Sequence, residues 1–397
     1  MGGFLKKIFI HDYAGHPFQI DLSRELSKKY EVLHCYNGSN NTPQGKTKKT
    51  KDDLNTFDIY PIMLSQKIDK SSLFKRWSQE FRYGIQLINV VSNYKPDIII
   101  STNTPLDAQF MLLIYSKIKN IKHIFWLQDM IAFSASVILK KRSRLLGKLV
   151  GKYFSFLEII IARFSNFTIV TMKSHIKVVK SWKVKSEKII LINNWASLDD
   201  YPVKRKNNKW AKKYNYDNKF IFMWTGTMGL KHSPEHFIDL SNQFKSIRNV
   251  KIVVVSESDG AKWLKKQKEK LSLNNLDILP YQDFNDVSNM MATADCLICL
   301  VGNDVGDAHV PSKFLSYMCA NRSIILGIKE SNFAAVIAQK YQCALLCNPD
   351  NTKEFLGHAN NIFSNENLRN KLANAARKYA ENTFLISNIS KKFEAIL

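Results

Sequence analysis

Short continuous apolar runs alternate with longer amphipathic stretches along this chain, and no other feature narrows the fold as sharply. Such runs read as strands buried on both faces, because half-exposed antiparallel strands would show period-two alternation instead. In the first half the strands fall at 7–11, 31–36, 97–101, 123–127 and 167–171, with helical patterns near 19–29, 78–92, 108–118 and 145–164. In the second half they fall at 220–225, 251–256, 276–279, 296–301, 323–327 and 344–347. Strands separated by helices cannot close as hairpins and build doubly wound parallel sheets, an α/β class. At 397 residues the chain exceeds one ordinary core, so two Rossmann-like domains are expected at 1–197 and 209–375. Between them 198–208 is polar and basic, contains Pro202 and lacks either periodicity, as a linker would.

Two strand–turn–helix units in the second half carry chemistry. The segment ADCLICLVGNDVGDAHVPSKFLSYMCANRSIILGI (294–328) reads as strand, polar loop, helix and strand, with Pro311 at the helix start and Ser312 and Lys313 in its first turn. Backbone N–H groups and an ammonium at the carboxyl edge of a sheet favour a diphosphate. In FIFMWTGTMGLKHSPEHF (220–237) a strand ends at Thr225, the turn holds Gly226, Thr227 and Gly229, and a helix is expected with Ser233 as N-cap and Pro234 at its first position. The two glycines let the backbone approach an anion, which their N–H groups and Lys231 would bind.

These segments resemble the PSK-type subgroup of glycosyltransferase family 4. The resemblance implies the GT-B fold, two Rossmann-like domains facing a central cleft, with a last helix at 376–397 crossing back to the first domain. It implies transfer of a sugar from a nucleoside diphosphate, UDP favoured, to a lipid-linked or polysaccharide acceptor with retention of configuration. Lys231 and Lys313 would meet the charge of the departing diphosphate. Most relatives carry acidic residues where this chain has His309 and Ser316, in SYMCANRSII against the commoner EYMAxGKPI, and those contact the donor's sugar and ribose. Pro311, Ser312, His309 and Ser316 therefore line the donor in this reading, and Lys313 and the helix N-terminus carry more of its binding than in glutamate-bearing relatives. Gly15, in HDYAGHPFQ, belongs to a loop that faces donor phosphates and acceptor. Asp129, in WLQDMIAF, is the acceptor-contact candidate beside Gln128, and loops at Ser256 and Tyr281 would receive the base. No cofactor and no metal are implied beyond the nucleotide-sugar co-substrate. Two further readings stand: a nucleotide-sugar epimerase of the same fold, or a catalytically silent membrane-associated partner subunit.

Charge and cysteines bound the partners. The 58 Lys and Arg against 34 Asp and Glu give +24, which asks for an anionic partner unless it reflects only a Lys-, Asn- and Ile-rich composition. No nucleic-acid motif accompanies the charge, so an anionic membrane surface and a phosphorylated substrate are preferred. Lys140, Lys141, Arg142, Arg144, Lys148 and Lys152 precede the apolar-aromatic stretch 153–161. One helix bearing both would lie on an anionic bilayer, or else bury its apolar part in the core. No apolar run is long enough to span a bilayer and no signal peptide opens the chain, which predicts a cytoplasmic protein peripheral to the inner face of the membrane. Six scattered cysteines read as reduced core thiols. Cys296 and Cys299 lie on a strand rather than at the helix start that a redox pair needs. The H-S-P-E-H match at 232–236 lacks one helical face for a zinc, since Pro234 leaves His232 outside the helix, and Gly45-Lys46-Thr47 lacks the first glycine of a Walker loop.

Overall fold

The computed structural model describes residues 5–39, 44–65, 73–132, 143–229, 232–302 and 310–397. They form two compact units, Met1–Asn193 with Ile386–Leu397, and Asn194–Leu385.

The first unit runs β1 (Lys7–Asp12), α1 (Pro17–Leu26), β2 (Glu31–Asn37), β3 (Phe57–Ile62), α2 (Leu73–Tyr94), β4 (Ile98–Thr102), α3 (Leu106–Ile118), β5 (Lys122–Leu127), α4 (Arg144–Phe164), β6 (Phe167–Val170), α5 (Lys173–Ser181) and β7 (Ile189–Leu191). Its described strands pair in parallel in the order β3-β2-β1-β4-β5-β6-β7, with Phe9 opposite Leu33 on one side and Ile99 on the other. The central strands read as unbroken apolar runs because both faces are covered, and every residue of β4 is buried. On one face Tyr83, Leu87 and Val91 of α2 and Leu112 of α3 pack on Phe9 and Ile99, while Leu157 and Ile161 of α4 pack on Phe125 and Val170.

The alternation does not predict β3. Its sequence Phe-Asp-Ile-Tyr-Pro-Ile carries a charge and a proline, which a central strand would not tolerate. At the sheet edge only one side must bond, and Asp58, Tyr60 and Pro61 are exposed while Phe57 and Ile62 are buried.

The second unit runs α6 (Lys209–Lys213), β8 (Phe220–Thr225), α7 (Glu235–Gln243), β9 (Val250–Val255), α8 (Asp259–Leu271), β10 (Leu276–Leu279), α9 (Phe284–Thr293), β11 (Cys296–Leu300), α10 (Ser312–Cys319), β12 (Ser323–Gly327), α11 (Phe333–Tyr341), β13 (Leu345–Cys347), α12 (Thr352–Ser364) and α13 (Glu366–Thr383). Its parallel order is β10-β9-β8-β11-β12-β13. Phe222, Trp224, Phe237 and Phe244 form one apolar core with Ile252, Leu264 and Phe355. The stretch expected as a linker is fastened to this unit: Lys206 Nζ lies 2.5 Å from Asp295 Oδ2, and the Asn208 side chain caps α6. The last helix, α14 (Ile386–Glu394), belongs to the first unit, where Phe393 meets Trp126 edge-on with centroids 4.9 Å apart and Lys29 Nζ lies 2.7 Å from Glu394.

Candidate active site

In the second unit the winding direction reverses at β8. β9 and β10 are added on one side and β11 to β13 on the other, which makes the carboxyl ends of β8 and β11 the switch point at which open parallel sheets bind ligands. Tyr317 of α10 pins these elements together. Its buried hydroxyl accepts from the Thr225 amide at 2.9 Å and lies 3.2 Å from Thr225 Oγ1, which fixes α10 against the end of β8.

Lys313 lies one turn earlier on α10 and is the central group here. Its Nζ sits 3.1 Å from the centroid of the Trp224 ring. The nitrogen is closed off from solvent and has no hydrogen-bond partner among the described residues, although the side chain as a whole is half-buried. A desolvated cation on an indole face gains about 2 kcal/mol or more, which is what holds this ammonium without an acceptor. Burial nevertheless pulls its pKa from 10.5 down to about 7. Cys299 would oppose this only as a thiolate, and burial pushes that thiol up to about 12, so it is neutral near pH 7. Gly226, with φ +92°, brings its backbone alongside: a Cβ there would lie 3.7 Å from Lys313 Cε and 3.9 Å from Nζ. Pro311 precedes α10 without any side-chain cap, which leaves the first-turn amides at Ser312 and Lys313 free of that competitor.

The rest of the glycine turn is strapped to the start of α8. The Met228 amide donates to Ser258 Oγ at 2.7 Å and to Ser256 Oγ at 3.2 Å, and the Met228 carbonyl accepts from Ser258 Oγ and from the Gly260 amide, both at 2.8 Å. Only glycine fits at 260, since a Cβ would lie 2.5 Å from the Met228 oxygen and 3.1 Å from that of Gly229. Alanine would gain about 1 kcal/mol of helix propensity there, but a backbone clash of this depth outweighs it. Gly260→Ala is therefore expected to lower stability by about 1–3 kcal/mol, read by thermal unfolding. Unchanged stability would show that the turn is not held as described.

Several expected positions move. Ser233 is not the N-cap: it has φ +48°, Pro234 precedes the helix, and α7 starts at Glu235. The amides of Gly226 and Gly229, expected to face an anion, are already engaged, by the Val255 carbonyl at 2.9 Å and by His232 Nδ1 at 2.8 Å. Serine at 316 turns inward on its own helix and donates to the Ser312 carbonyl at 3.2 Å. Thr227 is exposed, with its hydroxyl 3.5 Å from that of Tyr281, and Ser256 is buried beneath the turn. Lys231 and His309 lie outside the described residues, as do Lys140, Lys141 and Arg142. His236 bonds the Pro349 carbonyl at 2.8 Å and Thr352, and among the described residues no three His, Cys, Asp or Glu are grouped to hold a metal.

The first unit gathers a second polar cluster at its own reversal point, between β1 and β4. Asp12 is fully buried and accepts from the amides of Ala14 at 3.1 Å and His16 at 2.5 Å and from Asn103 Nδ2 at 3.3 Å, with His16 Nδ1 3.4 Å away. Gly15, at φ +71°, makes this tight return possible. Burial alone would raise the Asp12 pKa, but His16 outweighs it and brings it to about 2. Desolvation of His16 is likewise outweighed by Asp12, with Asp129 contributing, so the imidazole pKa is raised. Asp129 itself is exposed at the end of β5, and buried Glu158 of α4 accepts from the Ile131 amide at 3.0 Å just beyond it. The Asp12–His16 pair was open to notice in HDYAGH, two ionisable groups four apart around a glycine.

Residues 205–379 match the glycosyl transferases group 1 family. The putative colanic acid biosynthesis glycosyl transferase WcaI of Escherichia coli K12 is 20% identical over 214 residues, 53% of this chain and 51% of that protein, so the match spans about half the length of this curated relative. Among solved structures, Anabaena HepE with UDP and glucose has a TM-score of 0.70 at 14% identity, covering 98% of this chain and 99% of that one. Sucrose-phosphate synthase of Thermosynechococcus elongatus has a TM-score of 0.75 at 12% identity, covering 98% of each chain. The expectation of two Rossmann-like domains of the GT-B class is borne out by these likenesses and by the two parallel sheets.

Proposed function

We propose that this chain, whose residues 205–379 match the glycosyl transferases group 1 family and which has the GT-B fold, transfers a sugar from a nucleoside diphosphate to a lipid-linked or polysaccharide acceptor with retention of configuration. The observation that carries the reading is the shielded ammonium of Lys313 between Trp224, Gly226 and the uncapped start of α10. A shielded cation with no acceptor among the described residues asks for an anion. The bond that breaks joins the anomeric carbon to the β-phosphate oxygen, and the charge that collects on this oxygen would be met by Lys313 and by the α10 amides. Such preorganised donors are typically worth roughly 3–4 kcal/mol each. Lys231 keeps its assigned part in the same task, and Thr227, Ser256 and Tyr281 stay on the donor side. UDP is the favoured donor nucleotide, in keeping with the HepE structure that holds UDP and glucose. No cofactor beyond the co-substrate enters.

Gly15 keeps its expected part toward the donor phosphates and the acceptor, and Asp129 its part at the acceptor, in this reading. An acceptor built on a lipid places the enzyme at the inner face of the cell membrane, and among the described residues no helix is long and apolar enough to cross it. The test is a panel of radiolabelled UDP- and GDP-sugars offered to purified protein with membranes extracted for lipid-linked saccharides. Label in the lipid fraction supports transfer. Isomerised free donor would replace it with epimerisation, and absence of either with a silent partner subunit.

A further inference from the structure

We propose that the outer face of α2, α3 and α4 in the first unit docks on an anionic lipid bilayer, which gives the membrane attachment of the proposed function a surface and rests on that reading. Leu145, Leu149, Tyr153 and Phe156 recur at spacings of four, four and three along α4 and are all exposed, Leu145 by 69% and Phe156 by 59%. Arg144, Lys148 and Lys152 form a second exposed stripe one position earlier, directly beside the first. Trp77, Phe81 and Ile85 make a matching exposed stripe on α2. The inner residues Leu157 and Ile161 belong to the core, so α4 serves both readings its sequence allowed.

Asp107, at the start of α3, ties the two stripes together. Its Oδ2 accepts from Trp77 Nε1 at 3.2 Å and its Oδ1 from Tyr153 OH at 2.5 Å. The rings of two helices are thereby held at one level, with their polar atoms satisfied and their edges exposed. Indole and phenol rings so placed suit the headgroup boundary of a bilayer.

Charge selects the partner. Every acid of α2 and α4 is withdrawn: Glu158 is 1% exposed, and Glu80 is paired with Arg76 Nε at 2.8 Å. The charges that α2 and α4 present outward are therefore cationic, and long lysines beside apolar stripes can reach headgroups while their stems stay in contact with acyl chains. A second copy of the chain would set the same cations against one another, so a homodimer is disfavoured.

Sedimentation of the full chain with vesicles tests this. Phosphatidylcholine vesicles containing about 30% phosphatidylglycerol are expected to bind it at least tenfold better than pure phosphatidylcholine. Lys148→Glu with Lys152→Glu, and separately Leu149→Ser with Phe156→Ser, are expected to lower that binding by on the order of tenfold or more with unchanged thermal unfolding. Equal binding to neutral vesicles, or wild-type binding by both variants, would overturn the proposal. So would loss of a concentration-dependent dimer in the serine variant, which would make this face a protein interface. Calorimetry with a UDP-sugar, run on the same samples, reports on the second unit alone: absent donor binding sinks the Lys313 reading and leaves this surface standing.

Discussion

Replacing Lys313 with methionine is expected to lower turnover by on the order of a hundredfold or more while leaving the free protein as stable as before, or more so. The two halves of this expectation come from one nitrogen. In the free protein the ammonium is shielded, lies on the Trp224 ring and has no acceptor among the described residues. A depression of its pKa from 10.5 to about 7 corresponds to a few kcal/mol against the charged form. Methionine has similar length, keeps contact with the indole and removes that penalty, as apolar replacement of buried charges commonly does. During transfer the same cation would oppose the negative charge growing on the leaving diphosphate, and its loss removes roughly 3–4 kcal/mol from that transition state. Steady-state kinetics at saturating donor, beside thermal unfolding, reads both. Turnover within threefold of wild type would remove Lys313 from the chemistry. Lost turnover accompanied by a large fall in stability would instead make it a structural residue. A uniform weakening of KM alone would assign it to donor binding without a part in bond breaking.

Most of the fold was legible because both sheets are parallel and buried, so each central strand is an apolar run with helical periodicity on either side. β3 escaped because an edge strand needs only one bonded side and so tolerates Asp58 and Pro61. At the candidate site the elements were legible and their contacts were not. Pro311, Ser312 and Lys313 could be placed at a helix start from their order alone. That Lys313 folds back onto Trp224 could not, since Trp224 reads as one more core residue of β8. The glycine turn shows the same limit from the other side. Gly226 and Gly229 were read as anion ligands, yet both amides are spent on the turn itself, and the unforeseen requirement is Gly260, whose missing side chain admits the Met228 carbonyl. Local order fixes where a side chain starts, and only packing decides what it meets.

Donor affinity is expected to fall with rising pH, by up to about tenfold per unit above pH 7. Free Lys313 titrates at about 7, so at pH 8.5 it is largely neutral. A diphosphate placed against it favours the ammonium and raises its pKa, so binding must take up a proton. An intact UDP-sugar isolates the effect, because its diphosphate is esterified at both ends and does not titrate in this range. Calorimetry at pH 8.5 in two buffers of different ionisation enthalpy is expected to report uptake of about one proton, and none for Lys313→Met. Zero uptake by the wild type would overturn the placement of the diphosphate at this nitrogen. Stability runs in the opposite direction. The folded pKa lies below the unfolded value of 10.5, so between about 7 and 10.5 the unfolded chain holds more protons and the wild type gains stability relative to the methionine variant as pH rises. General alkaline damage would weaken folding and binding together. A free protein that becomes firmer relative to the methionine variant over the same pH range in which it loses its donor identifies one shielded ammonium as the source of both trends.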